Sequence, residues 1–331
     1  MRRADDQVQV NAQLIDAESG AHLWADRFDT DRTNLKEAQN EITGRLAKTL
    51  NVELFQAASR GIEQERATDP DARDFAMRAW ARVLRGPPSP ATFEEALRLN
   101  ERALEIDPES VEAKINMASI LVGNLSNGWS SSIRQDQKQA EKLLLGVLER
   151  DPNNTRAHGS LGILRRVQNR LEEARIEFET AITLDRNNTM TLRNLGGTLI
   201  QMGKPEEAIP YIEKSVRLSP HDPGIGNNYG ALGQCHLFLG HLDRAIEFLR
   251  RASAANPRAF GIHLNLAGAL GLRGDLDEAR AEVAEALKLK PEVNSLAALR
   301  AHFPWITNPP LWALRETTVN VGLRRAGFLD E

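Results

Sequence analysis

The chain has 331 residues, 27% charged and 41% hydrophobic, proportions that exclude a disordered or fibrous polymer and fit a folded protein of ordinary composition. Its 42 basic and 46 acidic side chains leave a net charge of −4, so there is no global basic footprint and no direct nucleic-acid partner is expected. A single cysteine, Cys235, excludes an intrachain disulfide framework and a thiolate metal site, and reads as a small buried hydrophobe.

The first ten residues are rich in Arg, Asp and Gln rather than apolar, and no stretch approaches the roughly 18 apolar residues of a membrane span. A cytoplasmic location without membrane contact is the expectation. From Val8 to Leu14 apolar and polar residues alternate, the run from Asp16 to Gly20 reads as a turn, and alternation resumes from His22 to Phe28. That period of two predicts a β-hairpin over residues 8–28. Leu35, Ala38, Ile42, Leu46 and Leu50 then recur at spacings of three and four, which predicts an amphipathic helix over residues 34–50. Two strands and one helix make a thin structure. Residues 1–55 are therefore expected to be a partial α/β module, followed by a linker at 56–69. The hairpin would leave Val8, Val10 and Leu14 on an edge through which residues 1–55 could pair with a second copy.

Residues 70–293 are organised by repetition. Six times a helix-length segment, a turn and an alanine-centred second helix recur at a spacing near 34 residues, with Ala96, Ala140, Ala174, Ala208, Ala245 and Ala279 in register. Twelve residues after each stands Pro108, Pro152, Arg186, Pro220, Pro257 or Pro291, where proline ends the second helix. Gly203, Gly240 and Gly274 occupy turns that need a left-handed residue, with Asn169 at the equivalent turn of the third repeat. The second repeat carries an inserted loop, residues 124–134, that holds Trp129. Trp129 reads either as an interface anchor or as a side chain folded back over a helix edge. Beyond Pro291, residues 295–303 and 310–326 read as helices broken by Pro304 and Pro309-Pro310, and residues 294–331 are expected to cap the apolar face of the last repeat.

The period, with Leu161-Gly162, Ala174, Phe178 and Ala181 in the third repeat and Leu195-Gly196, Leu232-Gly233 and Leu266-Ala267 in the next three, resembles the tetratricopeptide repeat family. The resemblance implies an all-α, right-handed superhelix of about six helical hairpins, with a small N-terminal α/β element, C-terminal capping helices and one concave groove for a protein or peptide ligand. The run from Val10 to Asp29, with Trp24 and Phe28, resembles the end of a small α/β module of bacterial signalling proteins. In those proteins the module joins tetratricopeptide repeats to a class III adenylate/guanylate cyclase catalytic domain or a winged-helix domain; neither is read between Met1 and the repeats, so a partial homologue or a start further upstream is expected.

If the array folds as the resemblance implies, the groove is lined by Asn116, Arg156, Arg166, Arg193, Asn194, Gln201, Asn227, Gln234 and Asn265, with Glu112 beside them. Asn116, Asn194 and Asn265 share the sixth position of their first helices, where an amide can donate to and accept from an extended peptide or be satisfied by solvent. Arg156, Arg166 and Arg193 could hold a carboxylate, or form a solvated helix face. The Lys and Asn of the chaperone-binding carboxylate clamp are not matched. No metal is expected, since His236 and His241, five apart, fall on different helix faces; no cofactor is expected, since no glycine-rich loop follows a strand; and Ser130–Ser132 lack a nucleophile's turn. The reading is a non-catalytic protein-interaction scaffold. Two alternatives stand beside it: the regulatory fragment of a cyclase, or an adaptor that self-associates through its hairpin edge.

Overall fold

The computed structural model describes residues 70–84, 89–220, 222, 224–302 and 306–331, together with the backbone of residues 3–4, 7–15 and 22–31. The expected helix at 34–50, the turn at 16–20, the linker at 56–69 and Trp305 lie outside the described residues. The chain divides into two compact units, residues 1–120 and 121–331.

In the first unit, β2 (Gln7–Ile15) pairs antiparallel with β3 (His22–Asp31), and a two-residue strand, β1 (Arg3–Ala4), lies along the other side of β2. Val8 is therefore paired on both sides, with Arg3 and with Thr30, so it does not stand on an open edge as the hairpin reading expected. Two helices follow, α1 (Ala72–Leu84) and α2 (Pro90–Ile106). Ser89 starts α2 by accepting from the Thr92 N–H at 3.2 Å, with Pro90 at the first helical position where a missing N–H costs nothing. Ala72, Ala76, Ala103 and Ala113 are buried together under Phe75 and Leu104, small side chains that let the helices approach closely. The next helix, α3 (Val111–Ser126), spans the division between the units.

The second unit is built of helical hairpins. After α4 (Ile133–Arg150) come α5 (Thr155–Val167) with α6 (Leu171–Leu184), α7 (Thr189–Gln201) with α8 (Pro205–Leu218), α9 (Ile225–Phe238) with α10 (Leu242–Ala255), and α11 (Phe260–Arg273) with α12 (Leu276–Leu289). Each in-register alanine from Ala140 to Ala279 is fully buried. Glycines of the first helices make room for the larger side chains of the second: a Cβ on Gly162 would lie 2.7 Å from the Phe178 ring, and one on Gly233 2.5 Å from Leu249. Helix-to-helix turns are closed by left-handed residues, Gly203 at φ 77° and Asn169 at φ 59°. Hairpin-to-hairpin turns use Asp151 and Asp185, whose carboxylates accept from the N–H two residues on at 3.3 and 3.1 Å, followed by Asn154 and Asn188 as N-caps.

Three short helices end the chain: α13 (Leu296–His302), α14 (Pro309–Thr317) and α15 (Val319–Arg325). The last packs on α11 where glycine meets glycine, Gly322 lying against the backbone of Gly268 and Gly271. Val319 and Leu323 are fully buried there.

Candidate functional site

The first helices of the fourth, fifth and sixth repeats present one face each to a common cavity of about 470 Å³. From α9 that face is Asn227, Gly230, Ala231 and Gln234, spaced three and four apart as one stripe of a helix must be. From α7 come Gly197, Ile200 and Gln201, and from α11 Phe260, Leu264 and Asn265. The small residues leave room and the amides supply donors and acceptors along the wall, a combination suited to a bound segment.

Four of the nine expected groove residues, Gln201, Asn227, Gln234 and Asn265, therefore meet at one cavity. Arg166, Arg193 and Asn194 form a second group that abuts it. Arg166 reaches from α5 to α7 and donates to the Asn194 side-chain oxygen at 3.0 Å and its backbone carbonyl at 3.3 Å. Its Nη1 lies 3.2 Å from where a Cβ on Gly197 would stand, which puts the guanidinium at the rim of the cavity. Burial, and then the like charge of Arg193, lower the Arg166 pKa to about 10, so the group stays cationic at neutral pH at an electrostatic cost. Arg193 lies beside Gly224, and the nearby Asp222 carboxylate is engaged by the Gly224 N–H at 2.7 Å. Among the described residues no carboxylate comes within ion-pair distance of Arg166 or Arg193. Arg156, half-buried in α5, does not line the cavity.

Asn116 is a correction. It is 0% exposed and donates to the Ala76 carbonyl at 3.0 Å inside the first unit, so it is a structural amide rather than part of an accessible wall. Trp129 is half-buried, its backbone N–H donating to the Asn124 carbonyl at 2.9 Å.

The sequence reading missed the opposite wall. Leu299, Ile306, Leu311, Trp312 and Arg315, all from the C-terminal region, line the same cavity. The expected cap thus divides into two parts: α15 covers the last repeat, while residues 306–317 run along the first-helix wall. Trp312 donates from Nε1 to the Ile306 carbonyl at 2.8 Å, and the guanidinium carbons of Arg300 and Arg315 lie 5.1 and 5.9 Å from its ring centre. Burial lowers the Arg315 pKa to about 10, and its Nε has no hydrogen-bond partner among the described residues. The Pro309-Pro310 pair marks where α14 starts, but no periodicity says which surface a short helix will meet.

Paired helices in register, buried alanine-to-glycine contacts and a wall made of first helices define a helical-repeat protein. Tetratricopeptide repeat models match residues 188–258 and, separately, 135–189 and 231–294, so residues 135–294 are tetratricopeptide repeats. A putative adenylate cyclase 3 of Rhizobium meliloti is 30% identical over 174 residues, covering 53% of this chain and 29% of that protein. The type IV pilus assembly protein PilF of Pseudomonas aeruginosa is 29% identical over 178 residues, covering 53% of this chain and 66% of PilF. The chain thus spans under a third of the cyclase relative and about two thirds of PilF. The solved Cut9–Hcn1 assembly shares the fold with a TM-score of 0.61 at 15% identity, over 78% of this chain and 46% of that one. No helix among the described residues is long and apolar enough to cross a membrane.

Proposed function

We propose that the chain is a non-catalytic interaction scaffold whose first-helix wall holds an acidic peptide segment of a partner protein. One observation carries this reading: the Arg166 guanidinium stands at the rim of a largely apolar cavity that also presents four amide side chains, feels the like charge of Arg193, and has no ion-paired carboxylate among the described residues. Two adjacent guanidiniums repel each other, and an incoming carboxylate relieves that repulsion while taking a bidentate hydrogen bond. Asn194, already oriented by Arg166, extends the polar surface, and Gln201, Asn227, Gln234 and Asn265 supply amides to an extended backbone. Stacked repeats elsewhere use their extended concave surfaces in this way.

The test is a titration of the full chain with a fluorescently labelled twelve-residue Ala/Glu peptide, with an Ala/Lys peptide as the control. The acidic peptide is expected to bind and to lose at least tenfold in affinity, about 1.4 kcal/mol, in the Arg193→Ala/Asn194→Ala variant. Binding should also weaken as salt rises. Equal affinity of wild type and variant overturns the reading.

A second reading is favoured by the 30% identity to a putative adenylate cyclase. In it the repeats, with residues 1–55 as the end of an α/β module, form the regulatory part of a cytoplasmic bacterial signalling protein. Translation of the DNA upstream of Met1 decides: a continuous cyclase or winged-helix frame supports the regulatory role, and an in-frame stop supports a stand-alone adaptor. Self-association through residues 1–55 is separately tested by sedimentation with and without them.

A further inference from the structure

The wall assigned to a partner is already touched by the chain itself. Residues 306–317 run from the turn of the third repeat to the first helix of the sixth through a short series of contacts. Asn308 donates to the Gln201 carbonyl at 2.9 Å, Asn169 donates to the Thr307 hydroxyl at 2.7 Å, and Arg315 reaches the Asn265 side-chain oxygen at 3.4 Å. Of α14, only Leu311 is deeply buried; Trp312 and Arg315 are half-buried. We propose that residues 306–317 are a displaceable strap that occupies the partner's seat, so that the groove is self-occupied until a partner segment competes the strap away. This rests on the groove reading above and adds to it how access is controlled.

Three features separate a strap from a permanent part of the fold. First, the strap and the helix that follows it differ in grip: α15 buries Val319, Asn320, Gly322 and Leu323 and interlocks with Gly268 and Gly271, whereas α14 buries one side chain. Thr318 ends α14 and begins α15 in a non-helical conformation, a hinge at which the strap can swing once Glu316 gives up its bonds to Asn320 and Arg324 of α15. Secondly, the strap leaves a polar group unsatisfied in the seat. Arg315, half-buried, has no carboxylate in ion-pair range among the described residues and a buried Nε without a hydrogen bond, a desolvation cost that weakens the closed state. Thirdly, it adds positive charge to the cavity that Arg166 already borders. An acidic partner segment is better matched to that surface than the strap is, and the equilibrium shifts to the open form by the difference in affinity.

A single-cysteine experiment reads this directly. Cys235 is 0% exposed and burial pushes its pKa up to about 12, so it stays silent toward thiol reagents while the chain is folded. In the full chain carrying Ala231→Cys, the new thiol faces the cavity beneath the strap. Its reaction rate with a bulky maleimide is expected to rise at least tenfold when Leu311→Ala and Trp312→Ala are added; an unchanged rate overturns the proposal. Reaction of Cys235 would report loss of fold in that variant, and the milder Asn308→Ala/Arg315→Ala pair then decides, with at least a threefold rise expected and no rise overturning. In a second arm, a labelled peptide of residues 306–318 is added in trans. It is expected to bind the strap-weakened chain at least tenfold more tightly than wild type, and equal binding contradicts self-occupancy. Neither arm uses an external partner, so failure of the acidic-peptide titration leaves both results standing and the two ideas separable.

Discussion

Asn116, Asn194 and Asn265 each hold the sixth place of a first helix, yet their amides do three different things. Asn194 accepts from Arg166 and Asn265 accepts from the strap, while Asn116 is fully buried and ties α3 to the Ala76 carbonyl of α1. Register predicts where a side chain points; it does not predict what stands opposite, and that is why Asn116 was misread. Asn169 shows the converse: its turn position was legible and its φ of 59° fits it, but its contact with Thr307, 138 residues on, was not. His236 supplies a prediction at this scale. It is buried against Phe248, its Nε2 has no hydrogen-bond partner among the described residues, and burial first, then Arg244 and His241, lower its pKa. The folded state keeps this ring neutral while the unfolded chain protonates it, so its contribution to stability is present above the ordinary histidine value of about 6.5 and is lost as pH falls below it. Urea midpoints at pH 7.5 and 5.5 should show a smaller acid loss in His236→Phe than in wild type; the same loss in both contradicts this account.

Among the elements, what the sequence displayed best was the interior of each hairpin. A buried alanine in the second helix, and a first-helix glycine under Phe178, Ile212 or Leu249, are packing requirements, and the period of 34 exposes them because the repeats solve the same contact. The ends of the hairpins were legible for a partly different reason than proline alone. Asp185 precedes Arg186 rather than a proline, yet it closes its turn as Asp151 does, by accepting from the N–H two residues on, and the following asparagine caps the next helix. The contact of α15 with α11 was not visible, since a glycine pair far apart in sequence gives no periodic signal. It yields a sharp prediction: Gly322→Ala drives a methyl group into the Gly268 carbonyl, which is backbone and cannot rotate aside. Loss of at least about 2 kcal/mol of unfolding free energy is expected, with faster amide exchange in residues 319–326. Wild-type stability and exchange would mean that α15 is not held at that crossing.

For the molecule as a whole, the sequence conveyed the repeat architecture and an interaction role, because both follow from helices that cannot bury their faces alone. It conveyed the chemistry of the wall only in part. Gln201, Asn227, Gln234 and Asn265 converge on one cavity and Arg166, Arg193 and Asn194 adjoin it, but the residues facing them, Leu311, Trp312 and Arg315, come from a segment that carries no repeat signal. Long-range docking of a short helix is decided by shape and competing contacts, not by local pattern. The claim that matters most is that the first-helix wall of the fourth to sixth repeats is the binding surface. Photo-crosslinking from a photoreactive side chain placed at Gln234, with the products mapped by mass spectrometry, tests it most directly. The account predicts crosslinks to residues 306–317 in the chain alone and their replacement by crosslinks to the acidic peptide as it is titrated in. Crosslinks to the strap that persist at saturating peptide, with the peptide captured elsewhere, would contradict it.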